Sequence, residues 1–420
     1  MAATRELSHV YPLGSRVNSA GRLEVGGCDV VELAREHGTP AYLVAEDDLR
    51  ARARAFTEAF AARHGDFEVL FASKAFPCTA AYRLFAAEGL ACDVASGGEL
   101  HMALAAGFDP ARVYLHGNAK SDAELEQALE ARVGYVVVDN FDDVDRLERL
   151  VGAGSQRVLV RVTPGVKPST HDFISTGQLD SKFGLGLDDA RAAIERLRGS
   201  DRLEMVGVHM HIGSQIFELG SFRHAIEAIA GLGDIEVYNL GGGLGVAYTA
   251  EDEPPSIEAY VEAKVSAAHE ALGTDARLLI EPGRALVANA GVTAYTVETV
   301  KRGLSTYVAV DGGMSDNLRP MLYGAVYEAV LADRLDPGGE LCKIAGKHCE
   351  SSDVLIHDVH LHDPRPGDVL VTPVTGAYGH AMANNYNGVP RPPVIFCKDG
   401  DARVVVRRET YDDLLARDVG

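Results

Sequence analysis

A chain of 420 residues is too long for one ordinary core and implies two domains, unless a large barrel takes up most of it. Its formal charge of -21 argues against nucleic acid as a partner, because a polyanion rewards basic surface, yet leaves small anionic ligands open. No apolar run approaches a membrane span and residues 1–10 hold no apolar signal segment, so a cytoplasmic protein without membrane contact is expected. Cys28, Cys78, Cys92, Cys342, Cys349 and Cys397 form no CxxC pair, which argues against a zinc ribbon and fits a reducing compartment.

From residue 69 onward, short β-branched or aromatic runs alternate with helical patterns. The first run, residues 69–72, ends at Lys74. The second, 91–95, leads into a helix opening at Ser96-Gly97-Gly98-Glu99. The third, 113–115, precedes a helix capped by Ser121 with Glu124 three residues on, the spacing of a capping box. The fourth, 135–139, precedes a helix around 144–150. The fifth, 158–162, is followed by a long polar stretch, 163–182, before a helix near Ala190; a loop of that length inside a compact domain usually carries function. The sixth, seventh and eighth runs are 205–211, 235–240 and 277–280. Eight such units predict a TIM-type (β/α)8 barrel over residues 41–289, with an open doubly wound sheet as the alternative.

After Gly283 the texture changes. Runs at 292–300, 307–310, 369–374, 394–397 and 404–406 follow one another with few helices between them, separated by turns such as Asp336-Pro337-Gly338-Gly339. This pattern predicts a β-sandwich or β-barrel domain over 290–420. Residues 1–40 are short and Gly-rich, cannot form a core alone, and are expected to complete that domain.

In such a barrel the chemistry sits at the C-terminal ends of the strands. Those ends carry Lys74, Asp93, the pair His209 and His211, the glycines 241–243 with Gly245, and Glu281-Pro282-Gly283-Arg284. Lys74 is flanked by apolar residues, which predicts partial desolvation, a lowered pKa and a nucleophilic amine. The alternative is a lysine that snorkels or pairs with a carboxylate. The glycines suit a phosphate cradle, because backbone N–H groups can approach oxygens closely there; the alternative is a plain tight turn. Glu281 can hold a pyridinium nitrogen protonated, or pair with Arg284. His209 and His211 share a strand face, so a metal site competes with an imidazole stacked on a flat ring. Stacking is preferred for His211, because Ser214 follows it and suits a phosphate.

Together these motifs resemble the fold-type III, alanine-racemase-like decarboxylases that use pyridoxal 5'-phosphate. The resemblance covers nearly the whole chain. It runs from Tyr11-Pro12-Leu13-Gly14, through His116-Gly117-Asn118 and Lys182-Phe183-Gly184, to Tyr386-Asn387. It implies that Lys74 carries the cofactor as a Schiff base and that His211 stacks on its ring. It implies that Ser214, Gly241, Gly242, Gly243 and the backbone at Gly283 and Arg284 hold the phosphate, with Glu281 on the ring nitrogen. Asp93 and Tyr378 join the cofactor-binding set, Tyr378 also touching substrate. Arg284, Arg319 and Tyr323 are implied to contact the substrate, the last two within Asp316-Asn317-Leu318-Arg319-Pro320-Met321-Leu322-Tyr323-Gly324. Cys349 is implied as proton donor and Glu350 as substrate ligand, both supplied across a homodimer interface so that the active site is shared. No metal is expected. For Cys349 the alternative is a buried structural thiol. One position departs from the family: Ser352 stands where a glycine is usual.

The implied reaction is decarboxylation of an amino acid. Converging Glu350, Arg284 and Arg319 suit a substrate with both an amine and a carboxylate at its far end. Meso-2,6-diaminopimelate has both, giving L-lysine and CO2 at the end of lysine biosynthesis, whereas ornithine lacks the distal carboxylate. The competing readings are a decarboxylase of another amino acid, a metal-dependent barrel hydrolase built on His209 and His211, and a cofactor-free binding protein.

Overall fold

The computed structural model describes residues 7–166 and 181–420. Most of the polar stretch 163–182 therefore lies outside the described residues. The chain divides into two compact units. One comprises Arg52–Gly245 and Pro254–Ala285; the other runs to Ala51 and takes up Val246–Glu253 and Leu286–Gly420.

The first unit is a closed barrel of eight parallel strands: β1 Phe67–Ala72, β2 Ala91–Val94, β3 Val113–Leu115, β4 Tyr135–Val138, β5 Gln156–Val162, β6 Leu203–Met210, β7 Val237–Asn239 and β8 Arg277–Ile280. They pair in chain order, with β8 closing on β1. All eight lie within the runs read from sequence or differ from them by a few terminal residues, and closure replaces the open-sheet alternative. Two of the helices start where their capping residues place them. Ser96 accepts from the Glu99 amide, and Ser121 and Glu124 form a reciprocal capping box on Asp122–Ala131.

Side chains alternate between the two faces of a strand. Inward from β1 to β4 come Leu70, Ala91, Tyr114 and Val137, and from β5 to β8 come Leu159, Val206, Val237 and Leu279, all buried in one cluster. One apolar residue from each strand thus fills the barrel's lower interior, so the barrel is a packed core rather than a pore.

The second unit is built on a nine-stranded mixed sheet. Its hub is Gly291–Arg302, which pairs antiparallel with Ala41–Ala45, Thr306–Val310 and Val369–Pro373. The sheet branches there instead of closing into a second barrel. Ala41–Ala45, read as lying on the barrel side of a boundary at 41, is a fully buried strand of this sheet and also pairs parallel with Val394–Lys398. The boundary accordingly falls after Ala51. Glu340–Ala345 and Val354–Leu361 are further strands not anticipated from the sequence. The N-terminal residues contribute three short strands, Arg16–Val17, Leu23–Val25 and Cys28–Asp29, and a helix, Val30–His37, capped by Asp29. Among the described residues no helix is long and apolar enough to cross a membrane.

Asp316 is buried in this unit. It accepts from the Tyr295 hydroxyl at 2.5 Å and the Gly313 amide at 2.8 Å. Burial pushes its carboxyl up to about 7 despite those donors. A raised carboxyl binds its proton more tightly in the folded state. Stability from this group is therefore fully present below the unfolded pKa and is lost as pH rises through the folded one. Urea unfolding between pH 4 and pH 7 should show wild type losing up to about 1.4 kcal/mol per pH unit relative to Asp316→Asn. Parallel stability curves for the two proteins would refute this.

Candidate active site

Two residues beyond the apolar cluster, the same inward face of the barrel turns polar. The positions are Asp93, His116, Asp139, Arg161, Asn239 and Glu281, with Ala72 on β1 as the exception. On β6 a register shift between Met205 and Gly207 moves the place to His209. Every polar member is buried. Such a layer persists only if its groups satisfy one another.

Glu281, just past β8, is the hub of the layer. Asn239 Nδ2 donates to its Oε1 at 2.6 Å, His209 Nε2 lies 3.0 Å from Oε2, and His116 Nε2 lies 2.9 Å from Oε1. Burial alone would raise this carboxyl, but His116 and His209 outweigh it and hold Glu281 well below the usual glutamate range. Burial pushes His209 down to about 4, so its ring is neutral at pH 7. A carboxylate only accepts, so the His209 proton sits on Nε2. The result is a buried, ionised carboxylate, the group needed to keep a ring nitrogen protonated. The alternative pairing with Arg284 does not occur.

His116, His209 and Glu281 place ligand-type atoms within 4.8 Å of one another. However, Asn239 and His209 already donate to the carboxylate oxygens, and His211 is not a member. The His209–His211 pair on which the metal-hydrolase reading rested is therefore not the cluster that the fold assembles.

The glycines after β7 form a tight turn. Gly241 has φ +62°, and a Cβ there would fall 2.2 Å from the Met210 carbonyl; at Gly242 it would fall 2.3 Å from the Glu281 carbonyl. Neither site admits a side chain. The Gly241 amide donates to Asn239 Oδ1 at 3.0 Å. Among the described residues the amides of Gly242, Gly243 and Leu244 meet no protein acceptor. Unpaired N–H groups on a buried turn fit an anionic oxygen cluster such as phosphate. Nearby, Arg284 donates to Ser214 Oγ from Nε at 3.2 Å and from Nη2 at 3.0 Å. Gly283 packs against Ala72, where a Cβ would meet the Ala72 Cβ at 3.0 Å. His211 lies beside the turn, its Nδ1 3.2 Å from where a Gly241 Cβ would be, and burial drives its pKa well below the usual histidine range. A neutral imidazole suits stacking on a ring.

Lys74 corrects one expectation. It is exposed, not partly desolvated. The segment Ser73–Ala75 is a single 3-10 turn following β1, which buries Ser73 and Ala75 and leaves Lys74 exposed, yet near enough for its charge to act on Asp93 and His211. Asp93 is buried at the end of β2. Burial and the charge of Glu281 push its carboxyl well above the usual range, against the opposing pull of Lys74.

The remaining expected site residues belong to the sheet unit. Arg319 opens the helix Arg319–Tyr323 and is buried. It donates to the Tyr327 hydroxyl at 2.6 Å, and its guanidinium lies 4.7 Å from the Tyr248 ring centre and 6.0 Å from that of Tyr323. Burial opposes its charge, but Tyr248, Tyr327 and Tyr378 offset this, so it stays cationic. Tyr378 holds φ +62°, a conformation costing a side-chain-bearing residue about 1–3 kcal/mol and concentrated at functional sites.

Cys349 is exposed whereas the other five cysteines are buried, which removes the structural-thiol alternative. Its amide donates to Asn387 Oδ1 at 2.8 Å. Buried Asp353 pins the turn by accepting from the His348 ring at 2.7 Å, the His348 amide at 3.0 Å and the Met314 amide at 2.8 Å. Glu350 is exposed beside Cys349. Ser352 is exposed too and does not have positive φ, so serine replaces the usual glycine without backbone strain.

Sequence reasoning missed Asn239, Arg161, Tyr248 and Tyr327, and cited His116 and Asp353 only as parts of motifs. For the barrel residues the available signal was a polar residue two places after the inward apolar one on six of the eight strands.

Residues 46–288 match the family described as pyridoxal-dependent decarboxylase, pyridoxal binding domain. The diaminopimelate decarboxylase of Bacillus subtilis (strain 168) is 47% identical over 425 residues, covering 96% of this chain and 97% of its own. That of Mycobacterium tuberculosis (strain ATCC 25618 / H37Rv) is 41% identical, covering 98% of each. The crystal structure of diaminopimelate decarboxylase from M. jannaschii in co-complex with L-lysine is similar with a TM-score of 0.90 at 33% identity, covering 97% of this chain and 98% of that one.

Proposed function

This chain belongs to the diaminopimelate decarboxylase family of pyridoxal-dependent decarboxylases, and from that membership we propose that it converts meso-2,6-diaminopimelate to L-lysine and CO2. The cofactor is pyridoxal 5'-phosphate. The observation that carries the reading is the buried, ionised Glu281 beside a glycine turn with unpaired amides, two features that suit the two ends of that cofactor.

When bound, pyridoxal phosphate supplies an electron sink for the charge left as CO2 departs. Lys74 would hold it through Nζ, the place that a substrate amine would take. Glu281 keeps the proton on the ring nitrogen, and His211 stacks on the ring. Asp93 belongs to the same cofactor-binding group. Gly241, Gly242, Gly243, Ser214, Gly283 and Arg284 take the phosphate. Arg284, Arg319, Tyr323 and Tyr378 orient the substrate, whose distal carboxylate needs a cation, and Glu350 reads its distal amine. Cys349 delivers a proton to carbon from its thiol. The proposal includes a homodimer in which Cys349 and Glu350 serve the partner protomer, which their exposure supports. It also places the protein in the cytoplasm, which six unbridged cysteines support.

The test is CO2 release from meso-diaminopimelate, ornithine, lysine and arginine. Release from meso-diaminopimelate alone is expected. Arg319→Ala should lower kcat/KM for it about 100-fold, the scale of losing a buried charge partner. Turnover of ornithine that is unaffected by Arg319→Ala would replace this substrate with one lacking a distal carboxylate.

A further inference from the structure

The helix Ile257–Leu272 buries Tyr260, Val261, Lys264, Val265, Ala267 and Ala268. At the helical period this stripe should be apolar throughout. Lys264 breaks the pattern while being fully buried. Its Nζ lies 4.6 Å from the Phe222 ring centre and 4.7 Å from that of Tyr260. It donates to three successive carbonyls: Leu240 at 2.6 Å, Gly241 at 2.8 Å and Gly242 at 3.2 Å. Among the described residues no carboxylate pairs with it, and an unpaired buried cation is costly where leucine or methionine would pack freely. Burial pushes the group well below the usual lysine range, and the charge of Glu281 opposes that. Three carbonyl acceptors nonetheless match the three N–H donors of an ammonium, whereas a neutral amine has two.

The geometry of the peptide bond gives this clamp a consequence. Within each trans peptide unit the C=O and the following N–H point in opposite directions. Drawing the Gly241 and Gly242 carbonyls toward Lys264 turns the Gly242 and Gly243 amides away from it. Those are two of the amides that meet no protein acceptor.

We propose that Lys264 is a positioning residue: it gathers the carbonyls behind the glycine turn and thereby aims the Gly242 and Gly243 amides at the cofactor phosphate. This rests on the reading that the turn holds that phosphate. Pyridoxal, which lacks only the phosphate, separates the two ideas. Cofactor-stripped wild type, Lys264→Met and Lys264→Gln are titrated with pyridoxal 5'-phosphate and with pyridoxal, following absorbance, after thermal melting has checked that each protein is folded. Wild type should prefer the phosphorylated ligand. Lys264→Met should lose about 10- to 100-fold of that affinity, the scale of hydrogen bonds to a charged group, with pyridoxal affinity unchanged. Lys264→Gln, which keeps two N–H donors without charge, should lose less. Equal weakening for both ligands, or none, would overturn the role of Lys264. A wild type indifferent to the phosphate would overturn the phosphate reading itself. If neither variant folds, Lys264 is a stability element and the proposal fails.

Discussion

Lys74→Ala protein is expected to release no measurable CO2 from meso-diaminopimelate and to lack the visible absorbance of an attached pyridoxal group. The loss should be on the order of 10³-fold or more, because this amine anchors the cofactor. Among the described residues, the buried lysines Lys120 and Lys264 cannot substitute. Lys120 is buried and donates to the Gly117 carbonyl at 2.6 Å and to Asp143 at 2.7 Å. Lys264 is spent on three carbonyls of the glycine turn. The fold should survive, since Lys74 is exposed and its truncation leaves no buried group unpaired. Absorbance spectra and a CO2-release assay on the same sample decide the matter. A variant that keeps the band and turns over would move the cofactor's attachment elsewhere.

Glu281→Gln should still bind pyridoxal phosphate but lose on the order of 10²–10³-fold in kcat, the scale of removing one preorganised electrostatic contact from a buried site. Glutamine has nearly the same shape, yet its amide nitrogen cannot accept from Asn239 and His209 as the carboxylate does. That mismatch should also cost about 1–3 kcal/mol of stability. The pH dependence has a definite sign. Because the Glu281 carboxyl is held well below its unfolded value, its stabilisation is present above the ordinary glutamate pKa. It is lost as pH falls through the depressed folded value. Wild type should therefore lose stability on acidification more steeply than Glu281→Gln in urea unfolding series. An unchanged kcat would show that ring-nitrogen protonation is not the task of this carboxylate.

The barrel was legible because the strands are short β-branched or aromatic runs alternating with helical patterns, two of which carry capping residues at their start. Val113–Leu115 and Arg277–Ile280 fall where the pattern puts them, and the Ser121–Glu124 box forms as read. Lys74, Glu281 and the three glycines were legible for a related reason: a strand end is a fixed station in a barrel, and their residue types carry recognisable chemistry. Ala41–Ala45 was assigned to the wrong side of the boundary because an apolar five-residue strand looks alike in either sheet. Its partners, Gly291–Arg302 and Val394–Lys398, are far away in sequence.

The sequence by itself determined the eight strand–helix units, the glycine turn and the family-type residues at the strand ends, because these depend on local pattern and residue identity. Only the tertiary structure decided that Glu281 bonds to Asn239 and His209 instead of Arg284, that Arg284 turns to Ser214, and that Lys264 grips the turn from behind. Those choices depend on which side chains meet across a closed barrel, and a buried polar group takes whichever partner the closure brings within hydrogen-bonding distance.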